Sequence, residues 1–385
     1  MEDLLYLDKD EKIIKFNPLQ GLDWTEHISP FDPENPVRKR WMKLWEKTDF
    51  DPTPVESERL RKVRFGMITN LISGKNKHKN YNRVLYENII CHQGIVRESG
   101  SLKNLPEIIH EFKESGVNVI IVNGGDGTMG AVATEVFHTW EGEMPAFVPL
   151  RGGTMNATAA AIGIPRTPSA VLLDRLVRVI NSKQGGLIEH WIGTLRVNDP
   201  RRPRDTFGFV FANGLAYEYD RYIYSLGDTG RKNAFIGFLL LNLHGLFGTR
   251  LGEEVWRNIP AKVTIDGKPL EFDTIKILVA STIYNLPLFL RPFPPPPSAK
   301  EGGFTFLING MRRKEIFKNT YSLLSGKYRG KNHLTGQASE IKLKMNGGYM
   351  IDGELWAHND DVEITVSFGI PLRVWWFEQP AGLFW

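Results

Sequence analysis

The sequence predicts an α/β N-terminal domain with a mostly parallel sheet, followed by a β-rich, sandwich-like C-terminal domain. Three observations carry that expectation. From about residue 62, short β-branched runs alternate with amphipathic helical stretches, the pattern of a parallel sheet covered by helices. Residues 117–122 are almost entirely β-branched, as in a strand buried on both faces. After about residue 187 the texture changes to amphipathic, strand-length segments separated by turn residues. A chain of 385 residues also exceeds one ordinary compact core.

The first domain reads as strand 63–69 ending at Asn70, helix 81–90, a short strand 94–97 and helix 103–114. That second helix has an apolar face at Leu105, Ile108, Ile109 and Phe112. Strand 117–122 then runs into Gly124, followed by helix 128–137, buried strand 146–150 and helix 157–163. In the second domain, strands are expected over 188–197, 207–211, 261–265, 275–281, 304–308, 341–345 and 362–368, with one helical insert near 232–247. Asp266-Gly267 is a hairpin signal, and the prolines at 294–297 read as polyproline II. The expected organisation is an extension over 1–60, an α/β domain over 61–187, a β-rich domain over 188–370, and a tail over 371–385 that could pack back on the first domain. Within the extension, residues 38–47 mix basic residues with Trp41 and Trp45. They read either as an interfacial helix or as one packing its tryptophans on the body.

Charge and cysteine content narrow the function classes. A net charge of +4 is too weak to argue for nucleic acid, though it suits ATP, anionic lipid, a membrane surface or simple solubility. Cys91 is the only cysteine, so an intramolecular disulfide is impossible. The first residues are acidic rather than signal-peptide-like, and no run of about 20 apolar residues occurs. A cytoplasmic protein is expected. The apolar runs 235–243 and 286–290 read as core or as lipid-facing surface, and the basic stretches 201–204 and 312–314 as solvated or lipid-facing loops.

The chemistry concentrates at Gly124-Gly125-Asp126-Gly127-Thr128, between a buried strand and a helix start. Glycines there leave backbone N–H groups unobstructed, and a helix N-terminus adds partial positive charge, so the turn suits a polyphosphate. Asp126 makes sense if it binds Mg²⁺, orients a hydroxyl or meets the nucleotide. No Gly-x-x-x-x-Gly-Lys-Ser/Thr occurs, nor a His-Arg-Asp or Asp-Phe-Gly pair, nor His-Glu-x-x-His. Three further segments belong with the turn. Asn70-Leu71-Ile72-Ser73-Gly74 follows the first strand, with Lys75 and Lys77 just beyond it. Arg151-Gly152-Gly153-Thr154-Met155-Asn156-Ala157 follows another strand and opens a helix. Asp352-Gly353-Glu354 lies near the C-terminal end.

Over residues 62–370 these motifs resemble the diacylglycerol kinase catalytic family, which includes sphingosine and ceramide kinases and bacterial lipid kinases. The resemblance implies a nucleotide site in the cleft between the two domains, ATP and Mg²⁺, and a lipid hydroxyl as acceptor. It implies nucleotide contacts from Asn70, Ser73, Gly74, Gly124, Gly125, Asp126, Gly127, Thr128, Gly153, Thr154 and Asn156. On chemistry, Lys75 and Arg151 could meet phosphate. Phosphoryl transfer needs a proton acceptor for the hydroxyl, and a carboxylate is the usual one. Asp352 is the candidate base, with Glu354 supporting it or holding Mg²⁺ beside Asp126. Asn213, Glu218 and Asp220 fall where relatives contact substrate. Peripheral membrane contact is expected, nucleic acid is not, and a homodimer is allowed. Two other readings stay open: an NAD kinase, which shares the glycine turn, and a non-catalytic lipid- or nucleotide-binding protein, for which Leu71 and Met155 speak.

Overall fold

The computed structural model describes residues 4–7, 13–16, 53–74, 76, 83–182, 186–225, 231–284, 292–357 and 361–377. The tryptophan-bearing segment 38–47, Lys75, Lys77 and the apolar run 286–290 lie outside them. The first sheet is built from β1 (Phe65–Asn70), β2 (Gly94–Ser99), β3 (Val119–Gly124) and β4 (Ala146–Arg151). All four run parallel, in the order β4-β3-β1-β2. Every residue of β3 and β4 is buried, as the unbroken apolar runs require for strands covered on both faces. The connecting helices are α1 (Arg83–Ile90), α2 (Leu105–Glu114) and α3 (Asp126–Thr139), then α4 (Ala157–Ala161) and α5 (Ser169–Ser182). α2 buries Leu105, Ile108, Ile109 and Phe112, the face its spacing predicts.

The chain then crosses to the second body, where the expected strand 188–197 is two strands in two sheets. β5 (Leu187–Ile192) belongs to the first sheet and β6 (Leu195–Asn198) to the second. Gly193 and Thr194 make the crossing. The 207–211 segment divides likewise, into β7 (Thr206–Gly208) and β8 (Val210–Asn213), which lie in different sheets. The helices α6 (Leu215–Ser225), α7 (Arg231–Phe247) and α8 (Arg250–Val255) follow. Only one helix was expected in this stretch. The tyrosines of α6, at 217, 219, 222 and 224, read as strand by propensity, and packing overrides it. The longer strands that follow in this body are β9 (Ile259–Ile265), β10 (Ile277–Ser281), β11 (Phe304–Asn309), β12 (His333–Ala338), β13 (Glu340–Met345), β14 (Tyr349–Ile351), β15 (Glu354–Trp356) and β16 (Val362–Phe368), with two-residue strands at Lys268–Pro269 and Thr274–Ile275 pairing β9.

Two antiparallel sheets result, ordered β7-β6-β16-β13-β9 and β12-β11-β10-β8-β14-β15. Their inner faces meet in one core. Val197, Val263, Leu343 and Val366 from the first pack against Phe211, Leu278, Phe304 and Phe306 from the second. The final strand, β17 (Leu372–Phe377), leaves the sandwich and inserts into the first sheet, antiparallel to β5 and parallel to β4. The outgoing and returning crossings touch: Gly369 N–H donates to Thr194 O at 2.8 Å, and the Thr194 hydroxyl donates to Ile370 O at 2.7 Å.

A third link is α3, which lies across β7. The Thr134 hydroxyl sits 2.9 Å from Gly130 O and 3.1 Å from Phe207 O, and it accepts the Phe207 N–H at 2.9 Å. Arg204 pairs with Glu135 on the same helix. Replacing Thr134 with Val keeps the shape and strands the buried Phe207 N–H. Thr134→Val is expected to lower unfolding free energy by about 1–3 kcal/mol, read from the denaturant midpoint. An unchanged midpoint would remove this bond from the link.

Candidate functional site

The glycine turn forms because β3 must end and α3 must begin within two residues. Gly125 is the residue before α3, and the helix ladder starts with Met129 N–H bonded to Gly125 O at 3.0 Å. The amides of Asp126, Gly127 and Thr128 therefore precede the first intrahelical bond. The second turn, 151–156, lies directly against the first. Gly153 N–H donates to Gly124 O at 3.0 Å, and a Cβ on Gly125 would stand 3.3 Å from Gly153 Cα. Neither contact leaves room for a larger residue at Gly153, whose added Cβ would overlap Gly125 Cα.

Side chains at both turns are spent on holding loops. Asp126 accepts the Ala157 and Thr158 amides at 2.9 and 2.8 Å, one on each carboxylate oxygen, and so caps α4. Asn156 adopts φ 53°, accepts the Gly153 amide at 2.9 Å and returns a bond to Gly153 O at 2.6 Å. The amide of Asn70 donates to Thr128 Oγ1 at 2.8 Å, while its carbonyl accepts the Ile72 amide at 3.0 Å. The Ser73 hydroxyl lies within bonding reach of Asn70 O and Gly152 O. Gly74 abuts Thr154 so closely that a Cβ would collide with its hydroxyl. Arg151 is only 4% exposed, at the end of β4.

Sequence reasoning missed two members of this network. Asn76 donates from one amide nitrogen to Asn70 O, Ser73 Oγ and Asn123 O, at 2.9, 3.1 and 3.0 Å. Asn123 is fully buried and accepts the Ser169 hydroxyl at 3.0 Å. The available signal was a lone amide at the end of the apolar β3 run, which must find partners when buried.

The Asp352-Gly353 hairpin brings the third segment to the same place. Both residues have positive φ, 51° and 86°, the signature of a tight two-residue turn, and it joins β14 to β15. Asp352 also lies where the two bodies meet, bonded within the sandwich and abutting α3. Its Oδ1 accepts the Phe209 and Val210 amides at 3.0 and 2.9 Å, at the break between β7 and β8. Its Oδ2 would lie 2.5 Å from a Cβ on Gly130 and 2.6 Å from one on Gly208. Glu354 lies two residues on, with Oε1 3.0 Å from the Cβ position of Gly127 in the first turn of α3. Glu354 is exposed as a residue, and partial burial of its carboxyl against α3 raises its pKa.

The electrostatics follow from this crowding. Burial, then the charge of Asp126, pushes the Asp352 carboxyl well above the usual carboxylate range, against the two backbone amides that favour its charged form. Asp220, on α6 beside the hairpin, is pushed up to about 7 by burial. Tyr224 of the same helix donates to Gly353 O at 3.0 Å. Asn213 is a core residue of β8, bonded to Leu278 N–H and Met345 Sδ, and Glu218 pairs with Arg221. Among the described residues, no group of three or more His, Cys, Asp or Glu side chains is placed to hold a metal.

Residues 64–184 match the family model described as diacylglycerol kinase catalytic domain. A protein of Salmonella arizonae named "Probable lipid kinase YegS" is 32% identical over 113 residues, which is 29% of this chain and 34% of that protein. The protein of the same name in Escherichia fergusonii is 32% identical over 93 residues, 24% of this chain and 28% of its own length. The chain thus matches about a third of the length of these curated relatives. In fold it is similar to a solved putative diacylglycerol kinase from Bacillus anthracis, with a TM-score of 0.55 and 16% identity. That likeness covers 81% of this chain and 96% of the other.

A raised folded-state pKa at Asp352 has a defined consequence for stability. Its contribution is fully present below the ordinary carboxylate pKa and is lost as pH rises through the elevated folded value. Asp352→Asn keeps an acceptor for the two amides and removes the titration. Urea midpoints of the two proteins should therefore diverge in favour of the variant as pH rises from the acid range toward neutral. Parallel profiles would contradict the assignment.

Proposed function

We propose that the chain is an ATP-dependent lipid kinase, transferring the γ-phosphate to the hydroxyl of a diacylglycerol-, sphingosine- or ceramide-type lipid; the match of residues 64–184 to the diacylglycerol kinase catalytic domain supports this reading. The single observation that carries this reading is the convergence of the two glycine turns and the Asp352-Gly353-Glu354 hairpin on the first turn of α3. The α/β body, 61–192 with β17 returning to it, would hold nucleotide. The sandwich and its helices would hold lipid, and the protein would work at a membrane surface.

The residues present fit a polyphosphate. The first amides of α3 are directed along a helix start, the glycines leave the backbone open, and Gly125 and Gly153 approach too closely for side chains to intrude. Mg²⁺ would be carried by phosphate oxygens and water, since among the described residues no group of three or more His, Cys, Asp or Glu side chains is placed to hold it. Asp126 is a poorer ligand than the sequence suggested, since each of its oxygens already holds an amide of α4. When bound, Mg-ATP would supply the phosphoryl group and the divalent charge that neutralises it.

The geometry favours Glu354 over Asp352 as proton acceptor. Asp352 has both oxygens enclosed by backbone amides and glycines, while Glu354 is exposed and reaches the start of α3. As the new oxygen–phosphorus bond forms and the β,γ-bridge bond breaks, the hydroxyl proton passes to Glu354 and ADP leaves. Asp352 acts by fixing the hairpin from which Glu354 projects.

The test is incubation with Mg-ATP and, in turn, diacylglycerol, sphingosine, ceramide and NAD. A phosphorylated lipid is expected; phosphorylation of NAD alone, or of nothing, would overturn the reading. Glu354→Gln should lower kcat by about 10²–10⁴-fold with little change in KM for ATP. Near-normal turnover would remove Glu354 from this role.

A further inference from the structure

The helix α7 has its amphipathicity inverted. Gly237 and Gly245 face inward, with Leu241 between them. A Cβ on Gly237 would stand 3.0 Å from Ile223 of α6, and one on Gly245 would stand 2.5 Å from the Trp256 indole. These three positions repeat every four residues and form one stripe. The opposite stripe is large and apolar and lies in solvent. Ile236, Leu239, Leu240 and Leu243 are 39, 50, 37 and 39% exposed, and Leu246 and Phe247 reach 57 and 75%. A helix facing only water would carry polar residues there, and six adjacent large apolar side chains mark a contact surface.

Its surroundings identify the partner. The helix Arg313–Lys318 packs against the same small core through Ile316 and Phe317, with Phe317 4.9 Å from the Trp256 ring. It adjoins the end of the ridge: Arg313 lies 3.4 Å from the Cβ position of Gly248 and pairs with Glu253 at 2.6 Å. From 312 to 331 the chain carries Arg312, Arg313, Lys314, Lys318, Lys327, Arg329 and Lys331 against Glu315 as the single acidic residue. Tyr321, in the next helical turn, is 80% exposed. A protruding apolar ridge adjoined at one end by a helix carrying Arg312, Arg313, Lys314 and Lys318 against Glu315, with Glu253 of α8 paired to Arg313, matches an anionic bilayer: the leucines meet acyl chains and the basic groups meet headgroup phosphates. With 17 residues, α7 is about 25 Å long, and no described helix is long and apolar enough to cross a membrane.

We propose that α7 lies in the surface of an anionic phospholipid membrane, inserting the ridge from Ile236 to Phe247, with the 312–331 segment binding headgroups alongside. This extends the lipid-acceptor reading and gives it a route. The inner stripe of α7 rests on α6, whose Tyr224 holds the Asp352-Gly353-Glu354 hairpin. One layer of helix therefore separates the bilayer from the candidate site.

Vesicle co-sedimentation without nucleotide tests this separately from catalysis. The full chain should bind vesicles of phosphatidylcholine mixed with phosphatidylglycerol, and bind phosphatidylcholine alone much more weakly. Leu243→Ser combined with Leu246→Ser and Phe247→Ser should weaken binding by about a hundredfold or more, as each apolar side chain withdrawn from water contributes on the order of tenfold. Lys314→Gln with Lys318→Gln should cost about fivefold per charge. Melting temperature should hold in all variants, because these side chains are exposed. Undiminished vesicle binding by the serine variant would overturn the proposal. So would equal binding to neutral vesicles, a fall in melting temperature showing the ridge to be packed, or a self-association that the serine variant abolishes in place of vesicle binding.

Discussion

The carboxylate of Asp352 is bonded at the seam where two bodies meet. It takes the amides of Phe209 and Val210, where the chain leaves one face of the sandwich for the other, and rests against Gly130 in the middle of α3. Three things are set at once: the break between β7 and β8, the direction of the hairpin, and the seat of the helix that carries the glycine turn. Without an acceptor at that point, two amides between strands of different sheets would be left without partners. The glycine turn is local in sequence, yet the helix it opens meets the sandwich at a group more than two hundred residues away, at a seam the Thr134 bonds to Phe207 also hold.

The polar side chains around the turn show the same economy. Asn70 bonds Thr128 of α3, Asn76 the end of β3, Asn123 the start of α5 and Asn156 its own turn, and Asp126 closes the start of α4. Residues that would be expected to recognise a ligand are engaged in keeping two glycine segments apposed. For the polyphosphate proposed, recognition would rest on backbone N–H groups whose neighbours are held, and preorganised donors of this kind favour a charged group without reorganisation.

Much of this was legible in the sequence. Buried parallel strands declare themselves by continuous β-branched runs, so β3 and β4 were visible, and the glycine turn stood out between β3 and α3. The segments that converge on the site could be named because each follows a strand end or a hairpin signal. Less was visible where sheet membership changes within a continuous run. In 188–197 and 207–211 the marks of the transfer are Gly193 and Gly208, and an isolated glycine in a strand pattern reads as readily as a bulge within one sheet. The roles within the site also depended on three-dimensional neighbours. Asp352 has the look of a base in a linear motif, while its enclosure by Phe209, Val210 and Gly130, which bears on that role, exists only in three dimensions.

The return of β17 has a consequence for how the chain is made. Residues 372–377 fill a central slot of the first sheet, between β4 and β5, and bury Trp375, Trp376 and Phe377 there. Until that segment leaves the ribosome, β4 and β5 present unpaired edges and the apolar faces meant for two tryptophans. The first sheet therefore cannot close until residues 372–377 have been made, although its other strands are synthesised first. Such a chain waits in a partly open state, with its most distant pairing made last, and depends during synthesis on whatever shields that gap from other exposed strands.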